Sequence, residues 1–243
     1  MATSCTTSKD FVYFQDRPLS EGYLNSTPEQ LIYKPDDILM ITVSAEDPKV
    51  VQPFNLMIVS ESDDLVNVTG NARMQTYLID YNGNIEFPVL GTLHIAGMTR
   101  IQLTEMLKNK ISEHVKDPIV NIRLLNFTIT VLGEVSDPGT FTIQNERISL
   151  PEALGLANDL TIYGKRKNLL LIREVDGQKK FAKIDLTSVN AVSSPLYYLQ
   201  QNDVLIVEPN NARVRSANYN QNNAILISAI GTLTTIVAVF LIK

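Results

Sequence analysis

Residues 118–143 read PIVNIRLLNFTITVLGEVSDPGTFTI, and a change of phase inside this stretch decides how the chain divides. Apolar side chains fall at even positions in Val120, Ile122 and Leu124, then at odd positions in Phe127, Ile129 and Val131. Side chains alternate faces along a strand. Parity therefore cannot switch inside one regular strand without a bulge or a handover between sheets. The switch predicts a boundary near Leu125–Asn126, with a unit of mixed helix and strand on either side.

Working upstream, MTRIQLTEMLKNKISEHV (98–115) carries Leu103, Met106, Leu107 and Ile111 on one helical face. Thr99, followed three residues later by Gln102, predicts a capping box, and Asp117–Pro118 predicts the stop. The Asn82–Gly83 pair, flanked by Tyr77, Ile79, Ile85 and Phe87, predicts a hairpin. Residues 49–75 carry no clear pattern, and within them the polar, turn-rich stretch SESDDLVNVTGNAR (60–73) reads as a long surface loop. LIYKPDDILMITV (31–43) reads as a turn at Pro35–Asp36–Asp37 leading into a strand. Downstream, Asp137–Pro138–Gly139 predicts a turn between strands, and Ser149 with Glu152 predicts a second capping box. NLLLIR and KKFAKIDL form a hairpin across Asp176–Gly177, and NDVLIVEP closes the unit. Four or five strands around one short helix predict a small α+β fold in which a sheet wraps a helix. A faint echo links YKPDDILMI (33–41) to YLQQNDVLIV (198–207), and two turn-to-strand starts suffice to explain it.

Composition excludes several functions. The 243 residues carry 21 basic and 26 acidic side chains, a net charge of −5, without a clustered basic footprint, which argues against a nucleic-acid partner. A single cysteine, Cys5, excludes an intrachain disulfide and a cysteine metal cluster. Of the two histidines, His94 lies in a short strand and His114 near a helix end, where the dipole alone favours it. The adjacent pairs Asp36–Asp37 and Asp63–Asp64 read as turn residues rather than converging carboxylates. No spacing predicts a metal site or a phosphate cradle, so no catalytic residue, metal or cofactor is assigned.

The two ends of the chain are distinctive. Cys5 follows Ala2, Thr3 and Ser4, small residues that resemble the end of a lipoprotein signal. No cationic or apolar region precedes them, and Ala2 stands where such signals usually carry Leu. Lipidation of Cys5, with Met1–Ser4 the remnant of a trimmed signal, and an incidental cysteine both remain open. At the other end, AILISAIGTLTTIVAVFLI (224–242) is nineteen residues without a charge, closed by Lys243. As a helix it extends about 28 Å, close to the ~30 Å hydrocarbon core of a bilayer. Ser228, Gly231, Thr232 and Thr235 recur at helical spacing and form a stripe suited to helix–helix packing or to bordering water. A passive anchor and a packed stave remain alternatives.

The blocks YKPDDILMITV (33–43), YLIDYNGNIEFPVLGTLHIAGMT (77–99), VKDPIVNIRLLNFTITVLGEVSDPGTF (115–141), LPEALGLANDLTIYGKRKNLLLIRE (150–174) and YYLQQNDVLIVEPN (197–210) together resemble bacterial polysaccharide export proteins. They are most similar to the short Bacteroidota form of the Wza type. The resemblance spans roughly residues 31–210. It implies an N-terminal lipoprotein tether at 1–30, a polysaccharide export domain at 31–126 and one soluble-ligand-binding β-grasp (SLBB) domain at 127–210. A linker at 211–223 and a transmembrane helix at 224–242 would follow. Asn158 stands in LANDL where the family often has Gly. Lys165, Arg166 and Lys167 in GKRK, like Lys179–Lys180, read as solvated residues in or beside turns, or as a contact for an anionic glycan or a partner.

What the resemblance implies about function is non-enzymatic. It implies an outer-membrane lipoprotein with its body in the periplasm, exporting capsular polysaccharide or exopolysaccharide. The subunits would form a ring, octameric in the best-known relatives, driven by an inner-membrane co-polymerase/tyrosine kinase. In that reading Cys5 carries lipid and 224–242 lines a pore. The alternative is an anchored periplasmic glycan-binding or adaptor module without a pore.

Overall fold

The computed structural model describes residues 11–17, 30–61, 71–175 and 177–217. The expectations on Cys5, on Asp63–Asp64, on the segment 224–242 and on its Ser228, Gly231, Thr232 and Thr235 lie outside the described residues. Among those described, no helix is long and apolar enough to cross a membrane.

The architecture is α+β, with two separate hydrophobic clusters. The first is built on β1 (Ile38–Ser44), whose Leu39, Ile41 and Val43 point inward while the alternate residues are less buried. β1 is the centre of an antiparallel three-stranded sheet, between β4 (Tyr77–Leu78) and β7 (Ile119–Leu124). After β1, Asp47 caps the short helix α1 (Pro48–Val51), and Asn55 returns to clamp Val43 through its amide, at 2.8 and 2.9 Å. β2 (Ile58–Glu61) and β3 (Asn71–Met74) then pair antiparallel. The two strands take the ends of the long loop expected over 60–73, whose middle, 62–70, lies outside the described residues. Its polar composition lacks apolar alternation, but backbone pairing needs none.

The Asn82–Gly83 turn forms, with Gly83 at φ +82° and the Asp80 carboxylate accepting from Asn84 N–H at 2.7 Å. Its flanks do not continue as one hairpin. Tyr77 and Leu78 are taken by β1, and β5 (Asn84–Phe87) pairs instead with β6 (Gly91–His94). The register that wins lets Tyr77 and Phe87 stack inside the core, with ring centroids 5.5 Å apart. Helix α2 (Arg100–Ser112) opens on the predicted Thr99/Gln102 capping box and covers this core with Leu103, Leu107 and Ile111.

At Leu125–Asn126 the chain leaves one sheet for the other, as the parity switch requires. β7 pairs with β1, whereas β8 (Thr128–Gly133) enters a five-stranded sheet of order β12 (Gln178–Ile184), β11 (Gly164–Val175), β14 (Val204–Pro209), β8, β9 (Gly139–Thr142). Asn126 pins the crossing. Its carbonyl oxygen accepts from Ile38 N–H and its amide donates to Asp36 O, each at 2.8 Å. In this second sheet neighbours are antiparallel except β14 and β8, which run parallel. Gly133 sits at φ +90°, and a Cβ there would lie 2.1 Å from Val207 O, so this close parallel crossing requires glycine. The pair β10 (Ile148–Ser149) and β13 (Tyr198–Leu199) delivers α3 (Leu150–Leu156), opened by the predicted Ser149/Glu152 capping box. Leu150, Ala153 and Leu154 bury that helix against Ile129, Val131, Leu169 and Leu171. A final short helix, α4 (Asn211–Ala217), follows β14.

The faint sequence echo is a repeated device. Asp36 and Asn202 both adopt left-handed backbone, at φ 71° and 64°, and each precedes a buried aspartate. Asp37 accepts from Lys34 N–H at 3.0 Å, and Asp203 from Gln200 N–H at 2.7 Å. Their own carbonyls accept from Ile79 and Thr130 N–H, both at 2.9 Å. The two turns thus start β1 and β14, one in each cluster, with the same wiring. They differ in partner. Asp203 meets Arg173 in a buried fork, Nε at 3.0 Å and Nη2 at 2.7 Å, whereas no cation is ion-paired to Asp37 among the described residues. Burial pushes the Asp37 carboxyl up to about 6.

Candidate functional site

Two features gather chemistry-bearing side chains: a collar on the second unit and a cleft between the two clusters. The collar is the segment 159–166. The GKRK stretch is not a turn; it opens β11 and carries a bulge, with pairing that jumps from Gly164–Pro209 to Leu169–Val207. The bulge shifts the inward phase from even to odd positions and turns Arg166 inward, only 7% exposed. Its guanidinium donates to Thr161 O at 2.9 Å, Gly164 O at 2.8 Å and Leu160 O at 3.4 Å. Phe11 and Tyr13 stack on it, at 5.4 and 5.9 Å from their centroids. Lys165 pairs with Glu208 at 3.1 Å, and Lys167 is exposed. The three basic residues therefore do not form one solvated patch.

Residues 11–17, assigned to a tether by the sequence, are strapped along the segment 186–189 and, through Phe11 and Tyr13, onto this collar. Phe14 N–H donates to Leu186 O at 3.0 Å and Gln15 N–H to Thr187 O at 2.7 Å. The Asp16 carboxylate accepts from Ser188 Oγ and Val189 N–H, which hold it below the ordinary carboxylate range. Tyr13 donates to Asp159, and burial together with that carboxylate raises its phenol. The signal was present as FVYF (11–14), four apolar or aromatic residues in a polar terminus. The other end docks beside it. Asn210 N–H donates to Tyr163 O at 2.7 Å and its amide to Ile162 O at 3.3 Å. Arg213 of α4 reaches Glu134 at 3.0 Å and lies 5.5 Å from the Tyr163 ring centroid. Glu134 in turn accepts from Thr161 Oγ1 at 2.9 Å. Residues 11–13 and 210–213 thus both fasten to the segment 159–166.

The cleft has a volume of about 710 Å³. Tyr33, Arg100 and Arg123 line it from the first unit, and Phe127, Gln144 and Arg147 from the second. Leu31 and Leu124 form its seam, because each packs against both clusters. A second hollow of about 630 Å³ shares Asn145, Glu146 and Arg147 with it and continues to Tyr197 and Tyr198. Arg100 pairs with Glu146 across the units at 2.7 Å, and Arg147 stacks on Tyr198 at 5.3 Å. Burial pushes the Tyr33 phenol up to about 12. None of these lining residues was singled out as a site in the sequence, because they come from four separated segments with no shared motif.

The histidines have structural surroundings. His94 Nδ1 lies 3.0 Å from Asn84 Oδ1, and His114 packs against Phe54, with ring centroids 5.9 Å apart. Among the described residues, no group of His, Cys, Asp and Glu could hold a metal ion.

Comparison with known proteins gives an independent bearing. Residues 25–125 match the polysaccharide biosynthesis/export protein family. The chain is 28% identical over 177 residues to the EPS I polysaccharide export outer membrane protein EpsA of Ralstonia solanacearum, covering 71% of this chain and 46% of that protein. The protein of the same name from Ralstonia nicotianae is 31% identical over 141 residues, covering 56% of this chain and 37% of that one. The chain therefore spans less than half the length of the relatives it matches. The matched family is one of export proteins rather than enzymes.

Proposed function

We propose that this chain, a bacterial polysaccharide export protein by its match over residues 25–125, is a subunit of a ring-shaped outer-membrane conduit for capsular polysaccharide or exopolysaccharide. Residues 31–126 act as the polysaccharide export domain and 127–210 as a β-grasp (SLBB) domain, with their bodies in the periplasm. Residues 211–223 link to a transmembrane helix at 224–242. Cys5 carries the lipid, and Ser228, Gly231, Thr232 and Thr235 face neighbouring helices or the water path. Export needs no covalent step in this chain. An inner-membrane co-polymerase supplies the drive.

The convergence of residues 11–17 and 210–213 around the segment 159–166 supports this reading best. Six peptide steps separate Cys5 from Phe11 and seven separate Ala217 from Ala224, so each reaches at most about 20–25 Å. A lipid on Cys5 and a helix starting at Ala224 would hold one edge of the second unit against one membrane. Two attachments at one edge orient a subunit, which a ring requires and a passive anchor does not.

The test is conduction by the purified full-length protein in planar bilayers, beside a variant lacking 224–243. The conduit reading expects detergent-stable rings with discrete conductance that disappears in the deletion. Monomers in mild detergent, or conductance that survives the deletion, would overturn it. Saccharide binding by a monomer that never conducts would favour the adaptor alternative.

A further inference from the structure

We infer that the cleft between the two clusters is a binding subsite for an acidic saccharide, one that bears carboxylates. The inference rests on the export reading for the saccharide and on the cleft itself for the acid. The chain as a whole carries a net charge of −5, yet the cleft presents Arg100, Arg123 and Arg147 against one lining carboxylate, Glu146. Glu146 is already engaged by Arg100 at 2.7 Å. Neither Arg123 nor Arg147 is ion-paired among the described residues; Arg147 feels the Glu152 carboxylate of the adjoining hollow at longer range, and Arg123 faces the cleft with no carboxylate engaged. A planar guanidinium fork matches a carboxylate with two parallel hydrogen bonds, a geometry a lysine could not supply.

The rest of the lining suits a sugar ring. Gln30, Gln144 and Asn145 spend no side-chain hydrogen bond among the described residues, and an amide can donate to one hydroxyl while accepting from another. Leu31, Leu124 and Phe127 give an apolar floor for the C–H face of a pyranose. Arg147 is held over the Tyr198 ring, which limits its rotamers and presents its edge to the adjoining hollow. Concave walls with a few convergent polar groups are the usual build of a ligand site, and 710 Å³ accommodates two or three sugar residues. Because the walls come from both units, a bound saccharide would also clamp them together across the Asn126 crossing.

The test is calorimetric titration of the full-length protein in detergent with tetragalacturonate as the acidic probe and maltotetraose as the neutral one. The expected result is binding of the acidic probe at least about tenfold tighter than the neutral one, weakening as salt rises. The double variant Arg123→Gln/Arg147→Gln should lose that preference by about tenfold or more while keeping the wild-type melting temperature and particle mass. Lys180→Gln/Lys183→Gln on β12, away from the cleft, removes the same charge and should leave both affinities unchanged. Equal affinity for the two probes would overturn the inference, as would no binding of either or an acidic preference that survives in the cleft variant. Loss of particle mass in the cleft variant would also overturn it, by marking the cleft as a seam between copies. A protein that conducts but shows no acidic preference loses only this inference. One that binds but never forms a conducting ring loses the conduit reading alone.

Discussion

The repeated aspartate turn allows one substitution to be made twice, in nearly identical local wiring. Asp37→Asn and Asp203→Asn each keep an oxygen able to accept the N–H of the residue three positions earlier. For Asp203 the change also removes the charge facing Arg173, in a pair whose side chains are 6% and 1% exposed. Stripping one partner from such a buried pair costs about 3–5 kcal/mol, because the remaining charge has lost its compensation. For Asp37 the sign reverses. Its carboxyl is raised from 3.8 to about 6 in the folded chain, which at 1.36 kcal/mol per unit amounts to about 3 kcal/mol. The folded state therefore holds the proton more tightly than the unfolded one. That contribution is complete below about pH 4 and is lost as pH rises through 6. At pH 7.5, Asp37→Asn relieves this loss, offset by about 1–3 kcal/mol for an amide N–H that finds no acceptor, leaving a net effect of about 0–2 kcal/mol in favour of the variant. Urea unfolding of the full chain, followed by circular dichroism at pH 4.5, 6 and 7.5, reads all three proteins. The wild type should lose stability relative to Asp37→Asn by about 2 kcal/mol across that range. Parallel pH profiles for the two, or an Asp203→Asn cost no larger than that of Asp37→Asn, would refute the reasoning.

Other substitutions test the frame around the sites. Gly133→Ala must place a methyl against Val207 O at φ +90°, and should cost about 2–5 kcal/mol in the same unfolding experiment. Asn158, at φ 54°, already occupies the backbone region that glycine favours. Asn158→Gly should therefore change stability by less than about 0.5 kcal/mol, while Asn158→Ala costs about 1 kcal/mol. Phe11→Ala/Tyr13→Ala removes both rings from Arg166 and one hydrogen bond to Asp159, so limited chymotryptic cleavage of the Phe14–Gln15 bond should speed up several-fold. An unchanged cleavage rate would mean the strap is held by its backbone bonds alone.

Legibility in the sequence followed the range of the interactions. Both capping boxes, at Thr99/Gln102 and Ser149/Glu152, were readable because two residues three positions apart determine each. The sheet handover at Leu125–Asn126 was readable because parity is a local record of which face is buried. The Asn82–Gly83 turn was readable, but its pairing was not. Which strand takes Tyr77 depends on β1, nearly forty residues earlier. Arg166 was misread as solvated because its burial follows from a bulge and from aromatic rings some 150 residues away in sequence. Arg173 carried a clue, since it continues the inward parity of Leu169 and Leu171 and so required a buried acid. The cleft had no signature at all. Its arginines and amides become neighbours only when the two clusters meet along Leu31 and Leu124.

Electron microscopy of the full-length protein reconstituted in lipid nanodiscs tests the central claim most directly. A closed ring with an axial path, the 159–166 edge of each subunit against the bilayer and one helix per subunit crossing it, is the predicted image. Single subunits lying on the bilayer, or rings whose 31–126 unit faces the lipid instead, would contradict the account.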